Sequence, residues 1–124
     1  MKKLFIFILS MILISCGSDE YVELVKSGAF NSYPNINIET LLETVFDNIE
    51  WESFIAEEDN KRYVECVGQY YDENMEEWYD VLMQFKITGD DSFSLYYIEL
   101  DGESLSVKQS VKDIVQIYES IANH

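Results

Sequence analysis

The side chains best suited to chemistry are scarce in this chain, and their positions narrow what they can do. Its 124 residues include two cysteines, Cys16 and Cys66, and one histidine, His124, which is the last residue. A Cys/His metal centre needs three or four such ligands within reach of one another, and this set does not supply them. A Ser-His-Asp or Cys-His couple needs an imidazole held beside its nucleophile, and a terminal histidine is poorly placed for that. Cys66 lies between Val64 and Val67 in an apolar run, where a thiol packs as a small hydrophobe. Carboxylates are plentiful, but Glu57/Glu58 and Glu76/Glu77 fall in expected loops with nothing to raise one pKa of the pair. Asp90-Asp91 and Asp72-Glu73-Asn74 lack the spacing and the glycine of an EF-hand. No glycine-rich phosphate loop is present. The expectation is a non-enzymatic protein without metal or cofactor.

Cys16 differs through what precedes it. Lys2 and Lys3 lead into an apolar run, Leu4 to Ile14, broken only by Ser10. A basic start, a short greasy stretch and a small residue before the cut predict a secretory signal over residues 1–15. The run is shorter than the about 20 residues that cross a bilayer. Leu13-Ile14-Ser15-Cys16 resembles the lipobox of bacterial lipoproteins. That resemblance implies a diacylglycerol on the Cys16 sulfur, cleavage before Cys16, and acylation of the new amino group. Several acyl chains anchor firmly, since each buried CH₂ contributes about 0.8 kcal/mol and one chain alone is marginal. Residues 16–20 then form a tether. Its Asp19 and Glu20 also resemble the surface-export signal of lipoproteins in some Gram-negative groups, but a plain solvated spacer is the preferred reading. The expected location is the bacterial cell envelope, membrane-anchored, on the periplasmic side or the cell surface.

Residues 21–124 are the right length for a single domain with one core. Loss of Lys2 and Lys3 with the leader makes the formal charge of −16 two units more negative. So acidic a surface repels nucleic acid and anionic lipid headgroups. It favours basic proteins, basic peptides or metal ions, or simply keeps the domain soluble and off the membrane. With Cys16 lipidated, Cys66 is alone and no disulfide framework exists.

The elements that would position any site follow from periodicity. Tyr21–Lys26, with Ser18 or Asp19 as cap and Gly28 as stop, predicts a two-turn helix. Asn37 caps a second helix, expected over 38–49, whose stripe is Ile38, Leu41, Leu42, Val45, Phe46 and Ile49. Strands are expected over 51–57, 62–71, 78–88 and 92–100, separated by polar turns. Gly68, inside the second strand, suggests a bulge or a close backbone approach. Asp101-Gly102 marks a further turn. Ser104 or Ser106 caps a last helix with the stripe Val107, Val111, Ile114, Val115, Tyr118, Ile121 and Ala122. The expected fold is α+β: a four-stranded antiparallel meander with the N-terminal helices and the C-terminal helix packed on one face.

Strand parity then predicts a candidate binding patch. If Tyr79, Val81, Met83, Phe85 and Ile87 face the helices, Trp78 and Leu82 lie on the other side. Tyr63, Val67 and Tyr71 join from the neighbouring strand, and Tyr96 from the last. Aromatic residues outside a core are typical of interfaces. Rimmed by the acidic 72–77 loop, the patch suits a basic, partly apolar partner. A thicker core and a homodimer face are the competing readings.

Beyond the lipobox, Val25-Lys26-x-Gly28, Tyr33-Pro34, Trp51-x-x-Phe54, Val64 to Gly68 and Gln84-Phe85-x-Ile87 together resemble a family of small bacterial and prophage lipoproteins carrying an uncharacterised α+β domain. The resemblance spans most of residues 21–121 and implies lipid attachment but no catalytic residues. The expected function is an envelope lipoprotein that binds another protein or a peptide. An inhibitor or immunity-type protein against a cationic hydrolase or toxin is the alternative.

Overall fold

The apolar periodicities resolve into three helices and five strands in the computed structural model, which describes residues 19–123. Cys16, the expected leader over 1–15, Gly17, the expected cap Ser18 and His124 lie outside the described residues. The order is α1 (Asp19–Ser27), α2 (Ile38–Val45), β1 (Asp47–Ile55), β2 (Arg62–Asp72), β3 (Glu77–Ile87), β4 (Phe93–Leu100), β5 (Glu103–Ser104) and α3 (Val107–Ala122). The strands form one antiparallel meander in sequence order. The class is α+β, with five strands rather than the expected four. The extra strand follows a two-residue turn in which Asp101 (φ 50°) and Gly102 (φ 86°) both take positive φ, the backbone of a tight hairpin. At two residues long and wholly polar, β5 has no periodicity to announce it.

One core joins the helices to alternate strand positions. Val22 and Val25 of α1, Ile38, Leu41, Leu42 and Val45 of α2, and Ile114 of α3 cluster with Val64, Cys66, Val81, Met83, Phe85 and Ile98. Those strand residues are register partners of one another, Val64 with Phe85, Cys66 with Met83 and Met83 with Ile98, so they share one face of the sheet. Cys66 is buried and free, and burial pushes its thiol pKa up, helped by the Glu65 charge. A thiol in that state stays protonated and unreactive.

Local signals were kept in part. Asn37 caps α2 as expected, its Oδ1 accepting from the Thr40 amide at 2.8 Å, and Ser106 caps α3 by accepting from the Gln109 amide at 3.2 Å. The helix expected over 38–49 ends at Val45 instead. Phe46 turns extended (φ −115°, ψ 158°), and Ile49, Trp51, Ser53 and Ile55 continue with a period of two as part of β1. Ile49 satisfies both a helical and an alternating pattern; pairing with β2 selects the second. α1 starts at Asp19, inside the span expected to be a tether. At the far end of α3, Ile121 is 47% exposed and Ala122 is exposed, because the helix outruns the surface it covers, while Ile117, absent from the predicted stripe, packs against the core.

Two glycines sit where another segment comes close. Gly68 faces a bulge: Asp47 pairs with Gln69 and Glu50 with Val67, so Asn48 and Ile49 together oppose Gly68, and Asn48 takes φ 54°. A Cβ on Gly68 would lie 3.2 Å from the Asp47 carbonyl oxygen and 3.1 Å from Ile49 Cγ1, the close approach its position suggested. Gly28 follows α1 without the positive φ of a left-handed stop. A Cβ there would lie 2.6 Å from Cζ of Phe93, so a side chain at this position would have to displace the ring of β4.

Candidate binding face of the sheet

The face opposite the core is assembled by register. Tyr71 pairs with Trp78, Gln69 with Asp80, Val67 with Leu82, Glu65 with Gln84 and Tyr63 with Lys86. Glu50, Glu52 and Phe54 of β1 lie across from Val67, Glu65 and Tyr63, and Glu99 and Tyr97 of β4 from Leu82 and Gln84. A register shift between Gln84 and Phe85 leaves Tyr96 unpaired, and its ring sits 5.4 Å from that of Tyr63, on this same side. All five predicted patch residues, Tyr63, Tyr71, Trp78, Leu82 and Tyr96, therefore belong to one face.

They do not form one patch. Tyr63 and Tyr71 are eight residues apart in one strand, about 26 Å at ~3.3 Å per residue. Tyr71 and Trp78 form a tilted pair 5.1 Å apart at the β2–β3 hairpin end, with Trp78 53% and Tyr71 38% exposed. At the opposite end Phe54 stacks on Tyr63 at 5.7 Å and Tyr96 meets it edge-on, with Tyr96 55% exposed. Tyr63 and Leu82 are only 5% and 2% exposed, so neither offers contact area. Tyr63 is closed over by its ring neighbours, and Leu82 lies in mid-strand with occupied positions on every side. They are the floor of the face. Leu82→Ala should therefore lower unfolding free energy by about 2–5 kcal/mol, as core truncations do. Trp78→Ala should lower it by no more than about 1 kcal/mol. Chemical denaturation of both variants checks the contrast; an equal loss would put Trp78 in the core.

The Tyr63 end holds an internal cation. Lys86 Nζ lies 5.4 Å from the Tyr96 ring centroid and 5.9 Å from that of Tyr63, and 3.5 Å from Asp59 Oδ2. The Tyr63 hydroxyl donates to the same Asp59 oxygen at 2.7 Å. That bond, with Lys86 nearby, holds the Asp59 carboxyl below its usual range, while burial and Asp59 raise the Tyr63 hydroxyl pKa. Two rings and a carboxylate around an ammonium make a cation–π site that the chain fills for itself.

Between the aromatic ends runs a band of carboxylates that the patch prediction missed. Glu50, Glu52, Glu65, Asp80 and Glu99 all point to this face, and Lys86 is its one cation among the described residues. Glu65 is 3% exposed and accepts from Gln84 Nε2 at 2.9 Å. Glu52 stands directly opposite it, and Glu52 Oε1 is buried without a hydrogen-bond partner among the described residues. Burial raises the pKa of both; Glu50 adds to the effect on Glu52, and Glu52 and Glu99 add to that on Glu65. Like charges directly opposite on a sheet are destabilising. The signal for this band was present as the alternation Glu50-Trp51-Glu52-Ser53-Phe54, but Glu50 reads as helix-adjacent when the helix is run on to Ile49. The loop carboxylates Asp72, Glu73, Glu76 and Glu77 ring the hairpin tip; Asp72 Oδ1 caps the turn by accepting from the Asn74 amide at 2.9 Å. Among the described residues no group of His, Cys, Asp or Glu has the geometry of a metal site, and no helix is long and apolar enough to cross a membrane. Compared with family models, curated proteins and solved structures, the chain matches none.

Proposed function

We propose that this chain is a lipid-anchored protein of the bacterial cell envelope, without enzymatic activity, whose acidic aromatic sheet face binds another protein. The observation that carries the binding half is the pairing of two exposed aromatic ends with a carboxylate band on the side of the sheet opposite the core. The three helices cover the core side, and this side is left for a partner. Large, rigid, half-exposed rings gain more from a protein contact than from water, and the band between them selects a basic partner over an acidic one. A second copy meeting face to face would bring ten of these carboxylates together, so charge disfavours that arrangement at neutral pH. The anchoring half rests on the lipobox and leader. The inhibitor or immunity-type reading fits the same charge: a cationic hydrolase or toxin is one kind of basic partner.

Two measurements test the two halves. Cells supplied with a labelled fatty acid should label the parent chain and leave Cys16→Ser unlabelled and released from the membrane fraction. Label retained on Cys16→Ser overturns the anchor. For the face, a photo-crosslinking amino acid at Trp78 or Tyr96 should give a discrete adduct in cells, and the same group at exposed Ser120 on α3 should not. Adducts from Ser120 alone, or from none of the three positions, overturn the assigned face.

A further inference from the structure

We propose that the Tyr71–Trp78 pair receives a cationic side chain, arginine above lysine, from a basic polypeptide segment laid along the carboxylate band. This rests on the protein-binding reading above and names the chemistry of the partner. The molecule supplies its own precedent. At the Tyr63 end two rings and a nearby carboxylate hold the Lys86 ammonium. At the Tyr71 end the same parts recur: two rings 5.1 Å apart, with Asp80 two residues along β3 on the same face. The acidic hairpin tip adjoins them. Here, however, no lysine or arginine among the described residues lies over either ring; the others found on rings are Lys26 at Trp51 and Arg62 at Tyr21. Trp78 is the better platform, since indole binds cations more strongly than phenol, and it is the more exposed of the two. A guanidinium can stack on the indole while its N–H groups reach a carboxylate, which an ammonium cannot do in one plane.

The direction of the segment follows from the rows. From Trp78 the face runs through Asp80, then the row Glu50–Val67–Leu82–Glu99, then the row of Glu52 with Glu65 buried beside it, to the site already filled by Lys86. A basic residue on Trp78 thus starts a face about 26 Å long, with the carboxylate rows filling about 13 Å of its middle, which an extended segment of about eight residues spans. A second copy of this chain brings the wrong charge, and a compact polyamine has no planar group to lay on the indole.

The test uses the full-length chain in neutral detergent, with a dye-labelled nona-arginine peptide followed by anisotropy. Nona-lysine and spermine serve as competitors. Trp78→Ala should weaken nona-arginine binding about fivefold, Tyr71→Ala less, and Trp78→Phe should restore part of the loss. Leu105→Ala, which removes a comparably exposed apolar residue elsewhere, should leave binding unchanged. Nona-arginine should outcompete nona-lysine at equal charge. Unaltered affinity in Trp78→Ala, with its fold intact by circular dichroism, overturns the proposal, and so does spermine competing as well as nona-arginine at equal charge. If crosslinks from Trp78 and Tyr96 form in cells while Trp78→Ala still binds nona-arginine normally, the cation site fails and the binding face stands. If Trp78→Ala loses nona-arginine while neither face position crosslinks, the cation site stands and the assigned protein-binding function fails.

Discussion

Replacing Phe85 by alanine is expected to lower the unfolding free energy by about 3–5 kcal/mol, among the largest effects of single substitutions in this domain. Phe85 is fully buried in the middle of β3. Its ring stacks near Phe30 and Trp51, with centroids 6.3 and 6.5 Å away, and meets Phe93 edge-on at 6.0 Å. These partners come from the α1–α2 loop, β1 and β4, so one side chain ties together segments distant in sequence. Alanine would leave a cavity whose walls belong to three separate elements, and such walls do not collapse together easily. Since domains of this size hold only about 5–15 kcal/mol in total, the variant should be partly unfolded at 37 °C. Its urea midpoint should fall by about 2 M or more. A loss under about 1 kcal/mol would mean that the four rings are not a cooperative unit.

The second large effect has the opposite sign. Glu65→Gln should stabilise the folded chain by about 1 kcal/mol at pH 7.5, raising Tm by about 4–8 °C. Glutamine keeps an oxygen to accept from Gln84 Nε2 and sets an amide donor across from the orphaned Glu52 Oε1. It also removes one of two like charges that burial holds apart from water. The pH dependence follows from the direction of the shifts. Both glutamate pKa values are raised above the ordinary 4.5 in the folded chain, so above that pH the folded state holds more protons than the unfolded state. Their contribution to stability is therefore present in acid and is lost as pH rises through the folded values. The gain from Glu65→Gln should shrink towards zero near pH 4.5 and grow towards pH 8. Glu73→Gln, on the exposed hairpin tip, removes one charge without that couple and gives the baseline for general repulsion in so acidic a chain. Melting curves of the three proteins from pH 4 to pH 8 decide the matter. Destabilisation by Glu65→Gln at neutral pH would show the Glu65 carboxylate to be paired, not crowded.

The two effects illustrate what could and could not be read in one dimension. Phe85 stands in the clearest alternation of the chain, Tyr79 to Ile87, and its inward direction follows from parity alone. The Glu52–Glu65 opposition depends on which residue of β1 meets which residue of β2. That register is fixed by the bulge opposite Gly68, where two residues face one. Glycine marked the irregularity, but nothing in the local pattern told how far the neighbouring strand would slip. Likewise Trp78 and Leu82 are equivalent by parity, yet one is half exposed and the other buried, because burial on a sheet face depends on how neighbouring strands close over each position.

The residues alone determined the α+β class, the cap at Asn37, the core parity of β2 and β3, the side of the sheet that carries the aromatics, and the strong negative charge, and narrowed the last cap to Ser104 or Ser106. These are local or additive properties: each depends on a residue's own shape, its neighbours a few positions away, or a simple sum over the chain. Only the tertiary structure decided where α2 yields to β1, that a fifth strand closes the meander, that the aromatic face divides into two ends, and that a carboxylate band lies between them. Each of these turns on contacts between segments remote in sequence. There the free energy of pairing and burial overrides local preference, because a strand edge or a buried charge has no defined environment until its distant neighbours arrive.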